Sequence, residues 1–239
     1  MKLFILINAK TLETIGTIIV SDVHKFIKIM NEELLNILEK VKTLYQKYGI
    51  KSVTMDDVSR ELGISKKTLY QYVKDKNELV EMVVNLELET SIRQFSQVLN
   101  GELNAIEELF EVQKIVDYLV QKHNPSQEYD LKKYYPDTYK KIIKTRRDRM
   151  YCNILSNISK GKQQGVYREN LNEEIIAKDY VMRFENAVDC EIFTDEEKSS
   201  RTVFNELFIY HIRGIANEKG IKILEQKLKD LENNLQKIR

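Results

Sequence analysis

The stretch TMDDVSRELGISKKTLYQYVKDK, residues 54–76, changes character at its centre. Before Gly63 it is acidic, with Asp56, Asp57 and Glu61. After it come Lys66, Lys67, Lys74 and Lys76, with tyrosines and a glutamine between the lysine pairs. The acids read as helix-start residues: Thr54 is an N-cap type, Asp57 follows three positions later, and Asp56 lies near the positive end of the helix dipole. Val58 and Leu62 then face inward and Gly63 ends the helix. Ser65 caps a short third helix over 66–72. Asp75 and Glu78 form a capping box for a fourth helix that runs to about Asn100.

Two short helices joined by a tight, glycine-containing turn make a helix-turn-helix arrangement. With Leu69 pointing inward and Val73 one turn later, Lys67, Gln71 and Lys74 point directly away, flanked by Lys66, Thr68, Tyr70 and Tyr72. Lysines attract phosphates; lysine, glutamine and threonine reach base edges in a major groove; tyrosine hydroxyls suit phosphate oxygens. The lysines cluster because this helix lies against a polyanion. An ordinary solvated face explains isolated lysines, but here capping, turn, core spacing and aromatic interleaving agree.

Outward from this stretch, 239 residues with only 8 glycines and 2 prolines, and apolar residues at helical intervals, predict an all-α chain with short connections. The net charge of +1 excludes nothing, since a local basic patch hides inside a balanced total. Cys152 and Cys190 are too few for a disulfide framework, and with His24, His123 and His211 they show no metal-ligand spacing. No metal or cofactor is expected. Residues 1–29 carry a short apolar run interrupted by Lys10 and Glu13, too short for a membrane helix. They are treated as an N-terminal extension of unknown role, and the protein is placed in the cytoplasm with no membrane partner.

A first helix over 31–48 carries Leu34, Ile37 or Leu38, Val41 and Leu44 on one stripe, with Gly49 as its C-terminal cap. The run LYQKYGIKSVTMDDVSRELGISKKTLYQYVKDKNELV, residues 44–80, resembles the DNA-binding domain of TetR-family transcriptional regulators. The resemblance implies base contacts from Lys66, Lys67, Thr68, Tyr70 and Gln71, and phosphate contacts from Thr54, Tyr72 and Lys76. Lys67 departs from the small residue or proline common at its position, and Val73 from a frequent phenylalanine. The domains expected are a three-helix DNA-binding domain over 30–76 and a helical effector-binding and dimerisation domain over 77–239.

Within that second part, apolar spacing predicts helices over 102–123 and 137–160, with Pro125 and Pro136 as punctuation. A turn over 161–170 precedes helices 172–193 and 195–214, the latter opened by a capping box of Thr194 and Glu197. In the family these last two helices form the dimer interface, which assigns Phe184, Val188, Val203, Leu207 and Phe208 to it. Tyr134, Tyr135 and Tyr139 with Arg146 are candidates for an effector pocket holding an anionic or aromatic ligand; packing at a helix boundary is the competing explanation. From Ile221 to Ile238 a heptad seam fits packing along its own subunit as well as a contact between subunits. The implied protein is a homodimeric, effector-responsive regulator, most simply a repressor, on a palindromic double-stranded operator. The alternatives are a helical interaction module without DNA binding and an enzyme; against the enzyme, the chain shows no nucleophile elbow, phosphate loop or metal motif.

Overall fold

The computed structural model describes residues 32–99, 101–189, 193–194, 197 and 201–237. Among them are ten α-helices: α1 Glu32–Tyr48, α2 Met55–Leu62, α3 Lys66–Tyr72, α4 Lys76–Leu99, α5 Ala105–Gln121, α6 Pro125–Tyr134, α7 Pro136–Gln163, α8 Glu173–Asp189, α9 Arg201–Ile215 and α10 Glu218–Lys237. None of the described helices is long and apolar enough to cross a membrane. The N-terminal extension, residues 1–29, lies outside the described residues, as do Ile238 and the side chains of Val188 and Leu235.

The chain forms two compact units. The first holds residues up to Gln94 together with Leu119–Arg146. Its core collects Leu38, Val41 and Tyr45 of α1, Ile50 and Val53 of the following loop, Val58, Leu69 and Val73, and Leu79, Val80 and Val83 of α4. Each such buried aliphatic side chain contributes roughly 1.5–3 kcal/mol over its exposed state. Leu131 and Ile142 complete the core from α6 and α7, with Tyr135 and Tyr139 packed against it. This unit therefore runs past the boundary expected at residue 76, because α4 continues its apolar stripe into the same core.

Helix α6 is an addition to the sequence reading. Asn124 caps it, its Oδ1 accepting from the Ser126 N–H at 3.0 Å, and Pro125 occupies the first turn, where a missing N–H costs nothing. Gly49 closes α1 with φ +80°, and its missing side chain leaves room for Asp130, whose Oδ2 would stand 3.3 Å from an added Cβ. The same oxygen accepts the Lys51 N–H at 2.9 Å.

The second unit, Phe95–Tyr118 with Arg147–Arg239, gathers Ile106 and Leu109 of α5, Ile154 and Ile158 of α7, Ala177 of α8, Phe208, Ile212 and Ile215 of α9 and Leu224 of α10. A buried polar network crosses it. Glu108 takes the Asn157 amide at 2.8 Å and the Lys160 ammonium at 2.6 Å, and the Tyr167 hydroxyl donates to Asn157 Oδ1 at 2.9 Å. Tyr167 lies back across Gly161, where a Cβ would stand 2.0 Å from its ring, so only glycine fits there. Ile221, Leu224 and Leu228 of the heptad seam pack into this core, while Leu231 is exposed. Ile221, Leu224 and Leu228 thus serve their own subunit.

Candidate nucleic-acid interface

Helix α2 begins as its sequence dictates. Thr54 Oγ1 accepts the Asp57 N–H at 3.2 Å, and Asp57 Oδ2 accepts the Thr54 N–H at 2.9 Å, closing a capping box. Hydrogen bonds from Thr54, side chain first, hold the Asp57 carboxyl below its usual range, with Arg60 assisting. Gly63 then takes φ +67°, and the Ile64 N–H reaches the Ser59 carbonyl at 3.1 Å, so the chain turns within two residues. Ser65 restarts it by accepting the Thr68 N–H at 3.0 Å.

This turn seats α3 by Leu69, fully buried, and by Val73 just after it. Lys66, Lys67, Tyr70 and Gln71 are exposed, so four polar or amphipathic side chains project from a seven-residue helix whose inward residue is fixed, and Lys74 is exposed just beyond its end. They are not equally free. Lys66 pairs with Asp56 at 2.6 Å, and the Thr68 hydroxyl lies 2.8 Å from Ser65 Oγ. Lys67, Gln71 and Lys74 carry no side-chain partner among the described residues. Tyr72 leans toward the core, and its hydrogen bond to Glu33 raises its pKa. Lys76 turns back on the fold: its ammonium donates to the Lys51 carbonyl at 3.1 Å, and burial lowers its pKa against the pull of Asp130 and Asp57.

The other expected residues fall elsewhere. Tyr134 is exposed and accepts the Lys51 ammonium at 2.6 Å, Tyr139 donates to Glu128 at 3.0 Å, Tyr135 packs on the first core, and Arg146 is exposed. Of the interface residues, Phe184 and Val203 are half-buried and Leu207 is exposed. Phe208 is a correction: its ring stands edge-on to Phe110, centroids 5.2 Å apart, inside the second core, so it is a core residue of its own subunit. Sequence reasoning missed Lys51 and Asp130, and the one signal for them was the Asn124–Pro125 helix start.

Two short helices on a shared core, the second presenting a basic, tyrosine-flanked face, define a helix-turn-helix protein. Residues 37–83 match the family model of bacterial regulatory proteins, tetR family. A Staphylococcus aureus HTH-type transcriptional regulator is 34% identical over 91 residues, covering 38% of this chain and 47% of the relative. The chain thus spans about half the length of the curated relatives it matches. A transcriptional regulator from Cytophaga hutchinsonii shares the fold with TM-score 0.68 at 16% identity, over 78% of this chain and all of that one. A TetR transcription regulator from Haloarcula marismortui does so with TM-score 0.58 at 14% identity, over 79% of this chain and all of that one.

Proposed function

We propose that this chain is an effector-responsive transcriptional repressor that binds a palindromic operator in the cytoplasm as a homodimer. The observation that carries the reading is the outward face of α3, where Lys67 and Gln71 project from a helix anchored by Leu69, with Lys74 exposed just beyond its end and none of the three carrying a side-chain partner among the described residues. Lysine and glutamine at that position match the donors and acceptors of a major groove, and Thr54 at the start of α2 suits a backbone phosphate. Two recognition helices related by a two-fold axis would sit about 34–36 Å apart, one turn of DNA.

Dimerisation draws support from the apolar side chains left in water on α8 and α9: Ile175, Met182, Leu207 and Tyr210. Val203 and Phe184 flank them in the proposed interface. An effector that engaged Tyr134, Tyr135, Tyr139 and Arg146 would compete with the contacts those tyrosines make to Lys51 and Glu128, and so would act on the DNA-binding unit. Effector binding then shifts the population toward a dimer whose helices miss the groove spacing.

The test is a mobility-shift comparison of wild type, Lys67→Ala and Gln71→Ala on operator and random duplexes. Each substitution should weaken operator binding by roughly 1–3 kcal/mol and relax sequence preference. Unchanged operator selection in both variants would remove α3 as the reading helix.

A further inference from the structure

We propose that Lys51 of the α1–α2 loop, with Lys133 and Tyr134 of α6, forms a second phosphate-binding patch that carries the DNA contact beyond the helix-turn-helix. The proposal rests on the DNA-binding reading above. The Lys51 ammonium donates to the Tyr134 hydroxyl at 2.6 Å and lies 4.4 Å from that ring's centroid. The Lys133 ammonium lies 5.5 Å from the same ring, 5.1 Å from the ring of Tyr129, and donates to the Tyr129 hydroxyl at 2.7 Å. All four side chains are exposed.

Two like charges are thus held against one phenol. The hydrogen bond from Lys51, with the charge of Lys133, keeps the Tyr134 hydroxyl below its ordinary pKa. Among the described residues neither ammonium has a carboxylate at ion-pair distance. Elsewhere in the same unit Lys42 pairs with Glu39, Lys66 with Asp56 and Lys141 with Glu81. The acid nearest in sequence to Tyr134 on α6, Asp130, is buried and accepts the Lys51 main-chain N–H. The aromatic rings leave both ammonium charges exposed to solvent, so an anion is free to approach them.

The location names the anion. Lys76 donates to the Lys51 carbonyl at 3.1 Å and feels the charge of Asp57, the partner of the Thr54 cap. Lys51 therefore adjoins the phosphate-facing end of α2, and Lys133 continues the positive line onto α6. The patch holds two lysines and two tyrosine hydroxyls, which suit phosphate oxygens and carry no code for base edges. Its occupant is a backbone phosphate of the duplex bound by α3.

The experiment is a salt titration of full-length protein by fluorescence anisotropy on operator and random duplexes, with wild type, Lys133→Ala, Lys133→Arg and Lys67→Ala. Lys133→Ala should weaken both duplexes by similar factors and lower the slope of log affinity against log salt by about 0.9 per subunit. Lys133→Arg should keep the wild-type slope, and thermal unfolding should be unchanged because Lys133 is exposed. An unchanged slope in Lys133→Ala overturns the patch, as does a loss confined to the operator. If Lys67→Ala loses operator discrimination while Lys133→Ala behaves as wild type, the DNA-binding reading stands and the patch falls. If wild type binds neither duplex, both fall together.

Discussion

His211 on α9 is 4% exposed, its ring 4.6 Å from the ring of Tyr180, and its Nε2 has no hydrogen-bond partner among the described residues. Burial, reinforced by the Arg183 guanidinium and opposed by Asp179, lowers its pKa to about 4. A histidine free in the unfolded chain titrates near 6.5. The neutral form is thus favoured by the fold, and its contribution to stability is complete above pH ~6.5. It is lost as the pH falls toward 4, to a total on the order of 3 kcal/mol. Thermal unfolding of wild type and His211→Leu at pH 7 and pH 4.5 should show a smaller acid loss in the variant. Equal losses would mean that His211 is not the group concerned. Single residues were also where the sequence said least. Gly161 reads as the start of a turn, yet it ends up buried within α7, because Tyr167 six residues later folds across it. Lys76 reads as a phosphate contact, and its ammonium donates to the Lys51 carbonyl. Both depend on partners that periodicity does not reveal.

At the scale of elements, α2 and α3 were legible because their signals are local: the Thr54–Asp57 box, Gly63 in the left-handed region and the Ser65 cap all act within four residues. Helix α6 was not, because Pro125 serves as readily at a first helical turn as in a break. For α9 the apolar spacing was right but its inward face was ambiguous, since Leu207 and Phe208 are adjacent and only one of them can enter the core. That distinction separates two mutants. If the proposed dimer forms through this face, Leu207→Glu combined with Tyr210→Glu should yield monomers while keeping the helical circular dichroism. Phe208→Glu places a charge against Phe110 in the core and should cost several kcal/mol, about 3–5 for the lost aromatic alone, so it should unfold or precipitate. Light scattering that finds the Leu207/Tyr210 variant still dimeric would move the interface off this face.

The whole molecule is organised less sequentially than its motifs suggest. The helix-turn-helix signature ends near residue 80, yet the compact unit that contains it takes Leu131, Tyr135, Tyr139 and Ile142 from a segment some fifty residues later. Asp130 is where the two segments are joined, by its hydrogen bond to the Lys51 N–H. An amide in an exposed surface loop ordinarily swaps its hydrogen with water quickly, whereas this one is held by a buried carboxylate on a remote helix. Its exchange clock should therefore run with the opening of α6, not with the breathing of its own loop. In deuterium exchange followed by NMR, the Lys51 amide should be protected well beyond that of Ser52. Asp130→Ala should return it to the loop's rate while amides inside α1 keep theirs. An already unprotected Lys51 amide in the wild-type protein would show that α6 does not hold the loop on that timescale.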